Sequence, residues 1–282
     1  MNNIFDLHHD LINHTYRHGG YQQFKINDPK PRIIHKASVR DRLLHHVVYR
    51  KLYPFFDKKF ISESYSCRNN KGTHKALSQF KKYARIVSKN NTKQCRVLKC
   101  DIEKFFAIVD QQTPIKILKE YIPDKDVIDL LKEIIYSFKP NGLPLGNLTS
   151  QLFANICMNE FDQFAKHKLK AKYYIRYSDD FVILSGNKNC LENIIPEIKY
   201  FLEYNLKLTL HPDKISIRTI CSGQDFLGWV NFEDNMVLRR TTKRKIFKRV
   251  SSKNLQSYLS VLSHGNELKT RKQVIDILMN KV

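Results

Sequence analysis

Between Tyr174 and Ser185, two strand-length runs of aromatic, β-branched and aliphatic residues, Tyr174 to Tyr177 and Phe181 to Leu184, flank the triplet Ser178-Asp179-Asp180. Such runs suit a pleated, buried surface, and the triplet between them is too polar to continue either one. The layout predicts a β-hairpin with two adjacent carboxylates at its tip. They repel each other and gain nothing from packing, so the arrangement calls for compensating positive charge, most simply a divalent cation. An Asp-Asp pair on its own is ordinarily a solvated acidic turn. A third carboxylate changes that reading: Val97 to Ile102 is a short apolar run carrying Asp101 at its end, followed at once by Glu103-Lys104-Phe105-Phe106. A strand that delivers Asp101 beside the hairpin tip would build an all-oxygen site for two Mg²⁺ ions, about 3.5–4 Å apart, the device that clamps attacking and leaving oxygens in phosphoryl transfer.

Charge narrows the class of partner. The 282 residues carry 49 Lys and Arg against 27 Asp and Glu, a net +22 distributed along the chain and not gathered in a tail. A chain this basic repels itself until a polyanion neutralises it, and nucleic acid is the commonest such partner. An anionic membrane surface is the competing reading. No apolar run approaches the roughly 18–20 residues of a membrane span, and the first ten residues lack a signal-peptide layout, so a soluble, cytoplasmic protein is expected. With 42% hydrophobic residues, 17 Phe and 14 Tyr, a large buried core is available. The six cysteines show no Cys-x-x-Cys spacing and read as reduced core thiols. His14 and His18 stand four apart, as on one helical face, but without Cys partners or a His-Glu-x-x-His pattern they do not make a zinc site.

The chain reads as alternating helical and extended stretches. A short N-terminal helix precedes Phe24 to Ile34, where Asn27-Asp28-Pro29 supplies a turn and the flanking apolar residues a hairpin holding Lys30 and Arg32. Arg40 to Phe56 has helix-spaced Leu43, Leu44, Val47, Val48 and Leu52. Gly72-Thr73 opens a helix ending near Lys89, with Arg68, Lys71 and Lys75 as basic candidates for a backbone-tracking channel. Helices follow over Thr113 to Tyr121, Asp124 to Phe138 and Thr149 to Leu169, the last burying Leu152, Phe153, Ile156, Met158, Phe161 and Phe164. Cys190 to Tyr204 is helical, with Pro196 expected to kink or divide it. Lys207 to Ile217 alternates like strand-turn-strand, and Phe226 to Val230 with Met236 to Leu238 forms another hairpin. From Arg239 the chain is basic and helical.

Three segments in this order, Asp101-x-x-x-Phe105-Phe106, Gly142-Leu143-Pro144-Leu145-Gly146-Asn147-Leu148-Thr149-Ser150-Gln151 and Tyr177-Ser178-Asp179-Asp180, resemble the palm of a reverse transcriptase. The resemblance covers roughly Lys25 to Lys281. It implies an α+β right-hand polymerase: N-terminal segment and fingers over 1–95, an antiparallel palm sheet packed on helices over 96–236, part of 111–140 packing with the fingers, and a small helical thumb over 237–282. It further implies an RNA-directed DNA polymerase using template RNA, a primer, cDNA and dNTPs. Asp101, Asp179 and Asp180 would be catalytic and would bind two Mg²⁺ ions, replaceable by Mn²⁺, with the Ile102 carbonyl as an extra oxygen. Lys30, Arg32, Phe105, Phe106, Leu145, Gly146, Gln151 and Lys214 would surround the incoming nucleotide. Of these, Arg32 suits bidentate phosphate contact, Phe106 would exclude a ribose 2′ hydroxyl by clash, and Lys214 would give a proton to pyrophosphate. Phe226, Leu227, Gly228 and Trp229 resemble the primer grip.

The 145–151 loop departs from the usual pattern, in which Gln precedes the glycine and Ser-Pro follows. Leu145-Gly146-x-x-x-Ser150-Gln151 is similar to reverse transcriptases of diversity-generating retroelements, within the bacterial and phage, group II intron-like lineage. These copy a template RNA with errors at adenines, and the likeness implies a small basic accessory variability protein. The alternative is an ordinary group II intron-like or phage-defence reverse transcriptase without a diversification role.

Overall fold

The computed structural model describes residues 2–27 and 31–279. Its strands are β1 (Tyr21–Ile26), β2 (Arg32–Ala37), β3 (Arg96–Asp101), β4 (Tyr174–Tyr177), β5 (Asp180–Ser185), β6 (Ser216–Thr219), β7 (Gln224–Phe226), β8 (Trp229–Asn231) and β9 (Met236–Leu238). Its helices are α1 (Asn2–Ile12), α2 (Val39–Asp57), α3 (Thr73–Val87), α4 (Phe105–Ile108), α5 (Gln112–Tyr121), α6 (Lys125–Tyr136), α7 (Leu148–Gln163), α8 (Lys188–Leu206), α9 (Arg240–Arg249), α10 (Leu255–Leu262) and α11 (Leu268–Met279). The strands make a two-stranded ribbon β1-β2, a central sheet in the order β4-β5-β3-β6, and a small sheet β7-β8-β9, with antiparallel pairing throughout.

Period-two alternation on the central sheet explains its near-continuous apolar strands, because both faces are covered. Leu98, Cys100, Tyr174, Phe181 and Ile183 point into one core with Leu152, Phe153, Ile156 and Phe161 of α7 and Ile198 and Leu202 of α8. Their sequence neighbours Val97, Ile175, Val182 and Leu184 point into a second core with Leu77, Phe80 and Ala84 of α3 and with Phe226, Trp229 and Leu238 of the small sheet. Helix α7 is buried almost all round: besides its apolar residues, Thr149, Ser150, Asn155, Asn159 and Asp162 are covered. Such a helix belongs in the middle of a domain. Its last turn widens into one π-helical turn over Phe164–Lys168.

Local expectations hold at most element ends. Ser38 caps α2 by accepting from the Asp41 amide, and Asp124 caps α6 through the amides of Asp126 and Val127. Several expectations need correction. Pro196 lies within α8 without dividing it, in the second to third turn of a helix that runs unbroken to Leu206. The stretch 207–217 contributes only a bridge at Leu210, to Ile102, before a 3₁₀ turn at Pro212–Lys214 and the later strand β6. The thiols are not all core groups: Cys95, Cys100 and Cys157 are buried, but Cys67, Cys190 and Cys221 are exposed. His14 and His18 do not share a helix, since α1 ends at Ile12 and His14 is left-handed at φ 54°. His18 instead joins a buried network around Asp41, which also accepts from Tyr16, Ser38 and the Gly19 amide. Among the described residues, no helix is long and apolar enough to cross a membrane.

Candidate active site

The hairpin tip and the end of β3 meet as the spacing predicts. Asp101 and Asp180 are Cα partners across β3 and β5, and the Ile102 amide donates to the Asp179 carbonyl at 3.1 Å. Ser178, at φ 58°, turns the chain between the strands. A non-glycine residue in this region costs conformational energy, and such positions cluster where geometry is held for function. By strand alternation Lys99, Asp101 and Asp180 share the sheet face that looks toward the small sheet.

What holds the tip lies beneath it. The Arg176 guanidinium, fully buried in β4, donates from Nε and Nη2 to the two oxygens of Asp162 in α7, both at 2.7 Å. Nη1 reaches the Ser178 carbonyl at 3.0 Å and Asn155 Oδ1 at 3.2 Å, while Nη2 also reaches Ser64 Oγ at 3.0 Å. Tyr174 adds a hydroxyl to Asp162 at 2.6 Å. Helix α7, the Ser178 turn and the Ser64 segment thus converge on one guanidinium under the left-handed turn. Sequence reading passes over this residue, because an Arg inside a strand-like run looks like a surface position; the signal available was its place between Ile175 and Tyr177 in a strand buried on both faces.

The carboxylates are neutralised by lysines. Lys214 Nζ contacts Asp101 Oδ1 at 2.6 Å, and Lys99 Nζ lies 3.5 Å from Asp180 Oδ2 while donating to the Asp225 carbonyl at 2.9 Å. Lys99, absent from the sequence-derived candidates, therefore ties β7 to the aspartates. Burial pushes the Asp180 carboxyl up to about 7, with Lys99 opposing and Asp101 and Asp179 adding to the rise. Burial likewise raises Asp179, with Asp101 contributing. Asp180 Oδ1 is buried with no hydrogen-bond partner. Among the described residues no group of three His, Cys, Asp or Glu side chains forms a ready-made metal cage. An orphaned carboxylate oxygen amid repelling carboxylates nevertheless fits hard divalent cations, which take oxygen donors and complete their shell from water and substrate.

The other expected site residues divide by position. Phe105 and Phe106 both line a small pocket with Gln151, Arg176 and Ser178; Phe106 is half-buried there, and Phe105, 2% exposed, also packs into the core. Leu145 and Gly146 lie against β2, where Leu145 O accepts from the His35 amide at 2.9 Å. Arg32 is exposed at the start of that strand. Lys30 lies outside the described residues. Phe226 and Trp229 are buried in the second core, and between them Leu227 and Gly228, both at positive φ, form the turn of β7-β8. Of the basic residues expected to line a channel, Arg68 is a structural staple: it pairs with Asp57 at 2.7 Å and donates to the Ile61 and Ser64 carbonyls. Glu267, 2% exposed, anchors the C-terminal helices by accepting from the Leu238 amide and pairing with Lys243.

Comparison with known proteins bears on this geometry. The family model for reverse transcriptase (RNA-dependent DNA polymerase) matches residues 25–231. The chain is 26% identical to Protein YkfC of Escherichia coli, over 68% of this chain and 60% of that protein. It is 22% identical to the group II intron-encoded protein LtrA of Lactococcus lactis, over 78% of this chain and 48% of that protein. Apo telomerase from Candida tropicalis matches with a TM-score of 0.61 at 14% identity, over 93% of this chain and 57% of that one. The expected α+β right-hand polymerase architecture is borne out. The chain spans 60% or less of the length of these curated relatives.

Proposed function

The chain belongs to the reverse transcriptase family, and from that premise we propose that it is an RNA-directed DNA polymerase whose chemistry is centred on Asp101, Asp179 and Asp180. The observation that carries the proposal is the convergence of these carboxylates at one sheet end with two lysines against them. Asp101, Asp179 and Asp180, with the Ile102 carbonyl, would hold two Mg²⁺ ions, or Mn²⁺ in their place. Bound there, such ions would supply positive charge where the primer 3′ oxygen attacks and pyrophosphate leaves. The chain's own residues position the substrates. Arg32 grips the triphosphate, with Lys30 beside it in sequence, and Lys214 moves from Asp101 to give a proton to pyrophosphate. The β7-β8 turn at Leu227-Gly228 supports the primer. On this reading residues 1–95 are fingers, 96–236 palm and 237–282 thumb, and the partners are template RNA, primer, cDNA and dNTPs in the cytoplasm. Primer extension on RNA with Mg²⁺ by the purified chain tests the activity itself; no extension on any template would refute it.

Phe106 is the sugar gate in this proposal. Its half-buried ring shares a pocket with Gln151 beside the hairpin tip. Phe106→Ala is expected to lower the preference for deoxy- over ribonucleotides by about 10- to 100-fold, the range of a 1–3 kcal/mol steric term. Single-nucleotide incorporation kinetics measure the ratio, and an unchanged ratio would reduce Phe106 to a packing residue.

The diversification role rests on the loop Leu145 to Gln151. An apolar Leu145 withholds a hydrogen bond from the nascent pair, which is worth about 1–3 kcal/mol of discrimination. We assign the chain to the diversity-generating lineage, making adenine-mutagenised cDNA with a small basic accessory protein. Leu145→Gln should then reduce errors opposite template adenine by about fivefold or more, and errors opposite other bases less. Sequencing cDNA from both enzymes on one template measures this. Equal error spectra would favour the alternative, a group II intron-like or phage-defence reverse transcriptase, to which the likeness to LtrA also points.

A further inference from the structure

We propose that Asn147 is a positioning residue: its side-chain amide clasps strand β2 to the 145–147 loop, so that the hairpin bearing Arg32 and the loop beside the nascent pair move as one body. The inference rests on the polymerase reading for its kinetic consequence, but not for the clasp itself. The β1-β2 ribbon is a sheet of its own, with most of its residues exposed. A two-stranded ribbon is marginal in water, so its orientation has to come from its points of attachment. One lies at its base, where the Tyr21 hydroxyl meets Ser137 Oγ at 2.7 Å and the rings of Tyr21 and His35 pack edge-on against Phe138. The other is the loop.

Three contacts make the second attachment. The His35 amide donates to Leu145 O at 2.9 Å, Asn147 Nδ2 donates to His35 O at 2.8 Å, and Gly146 lies between them. A Cβ at Gly146, whose φ is +105°, would stand 2.6 Å from Ile34 Cγ2. The loop therefore approaches β2 as closely as backbone without a side chain allows. Both backbone groups of His35 are taken up, in the manner of a one-residue extension of a sheet, and Arg32 lies on the same strand.

The conduct of Asn147 itself points the same way. It is the N-cap of α7, where an Asn ordinarily turns its side chain onto the helix's own free amides, yet it makes no side-chain cap bond. Its Oδ1 takes no bond from those amides, while its Nδ2 donates outward to His35 O, at 3% exposure. The loop is fastened on its other side too. Leu143 N donates to Phe106 O at 2.7 Å, and a Cβ on Gly142 would come within 2.4 Å of that oxygen. The hairpin, the loop and the Phe106 segment are thereby linked in series, with Asn147 supplying a side-chain hydrogen bond to the β2 link.

Asn147→Ser tests this, because Ser remains a good N-cap but is too short to reach His35 O. Amides of 33–37 should exchange with deuterium about two- to tenfold faster, the factor that loss of one neutral hydrogen bond allows. The apparent KM for dNTP should rise by about the same factor, with kcat within about twofold and no loss of thermal stability. Gly146→Ala, whose Cβ would push on Ile34, should likewise speed exchange over 33–37. Unchanged exchange over 33–37 in both folded variants would overturn the clasp. A fall in kcat at unchanged KM would overturn its positioning role. Were the wild-type chain to extend no primer, the polymerase reading would fall, while the exchange measurement would still decide the clasp.

Discussion

Asp179→Asn should reduce primer extension by about 10³-fold or more, the scale on which phosphoryl transfer responds to loss of a transition-state charge partner. The same substitution should leave the melting temperature unchanged or higher. Asp179 sits in a site where burial and the neighbouring Asp101 already push its carboxyl above the ordinary range. Replacing it by a neutral isostere removes repulsion, and the Ile102 amide keeps its bond, because the acceptor is the backbone carbonyl of residue 179 and not its side chain. A fall in activity with stability retained is the pattern of a charge kept for chemistry at the expense of the fold. Circular-dichroism melts beside gel-based extension decide it. A folded Asp179→Asn protein with full extension would sink the assignment of the site, and a variant that unfolds would show that the aspartate is structural.

The parts of the molecule legible from the sequence are those where a local pattern repeats at the period of the structure. Strands β3, β4 and β5 announce themselves because two covered faces demand unbroken apolar runs, and the acidic tip stands out against them. Helices with stripes, such as α2 and α6, follow from spacing and caps. What escapes the sequence is pairing at a distance. Lys99 reads as an interruption of β3, although the fold sets it between Asp180 and the Asp225 carbonyl, 126 residues away in sequence. Glu267 looks like one more surface charge until the C-terminal helices close over it. Asn147 reads as a residue of a motif; only the fold shows that its amide faces His35, 112 positions earlier. The exposed Cys67, Cys190 and Cys221 show the converse error, in which a residue type is taken for its usual environment.

Arg176 gives the largest expected effect on stability, and it separates holding the fold from holding the tip. Its side chain and that of Asp162 are both 0% exposed. Arg176→Met leaves Asp162 buried with only the Tyr174 hydroxyl, and an uncompensated charge of that kind costs about 3–5 kcal/mol, a large part of the roughly 5–15 kcal/mol that keeps an ordinary domain folded. Pairing Arg176→Met with Asp162→Leu removes both charges together, and apolar replacement of a buried ion pair is often neutral or stabilising. The double variant should therefore recover part of the lost stability in urea melts, short of wild type because Tyr174, Ser64 and Asn155 lose a buried partner. Extension should not recover with it, because Nη1 of Arg176 is what reaches the Ser178 carbonyl at 3.0 Å under a turn held at φ 58°. Without that donor the turn relaxes and the two aspartates that follow it leave their register with Asp101, a displacement to which positioned phosphoryl transfer is highly sensitive. Full activity in the stable double variant would show that the buried pair serves the fold alone. A single variant less than about 1 kcal/mol weaker than wild type would show that the pair is not the anchor at all.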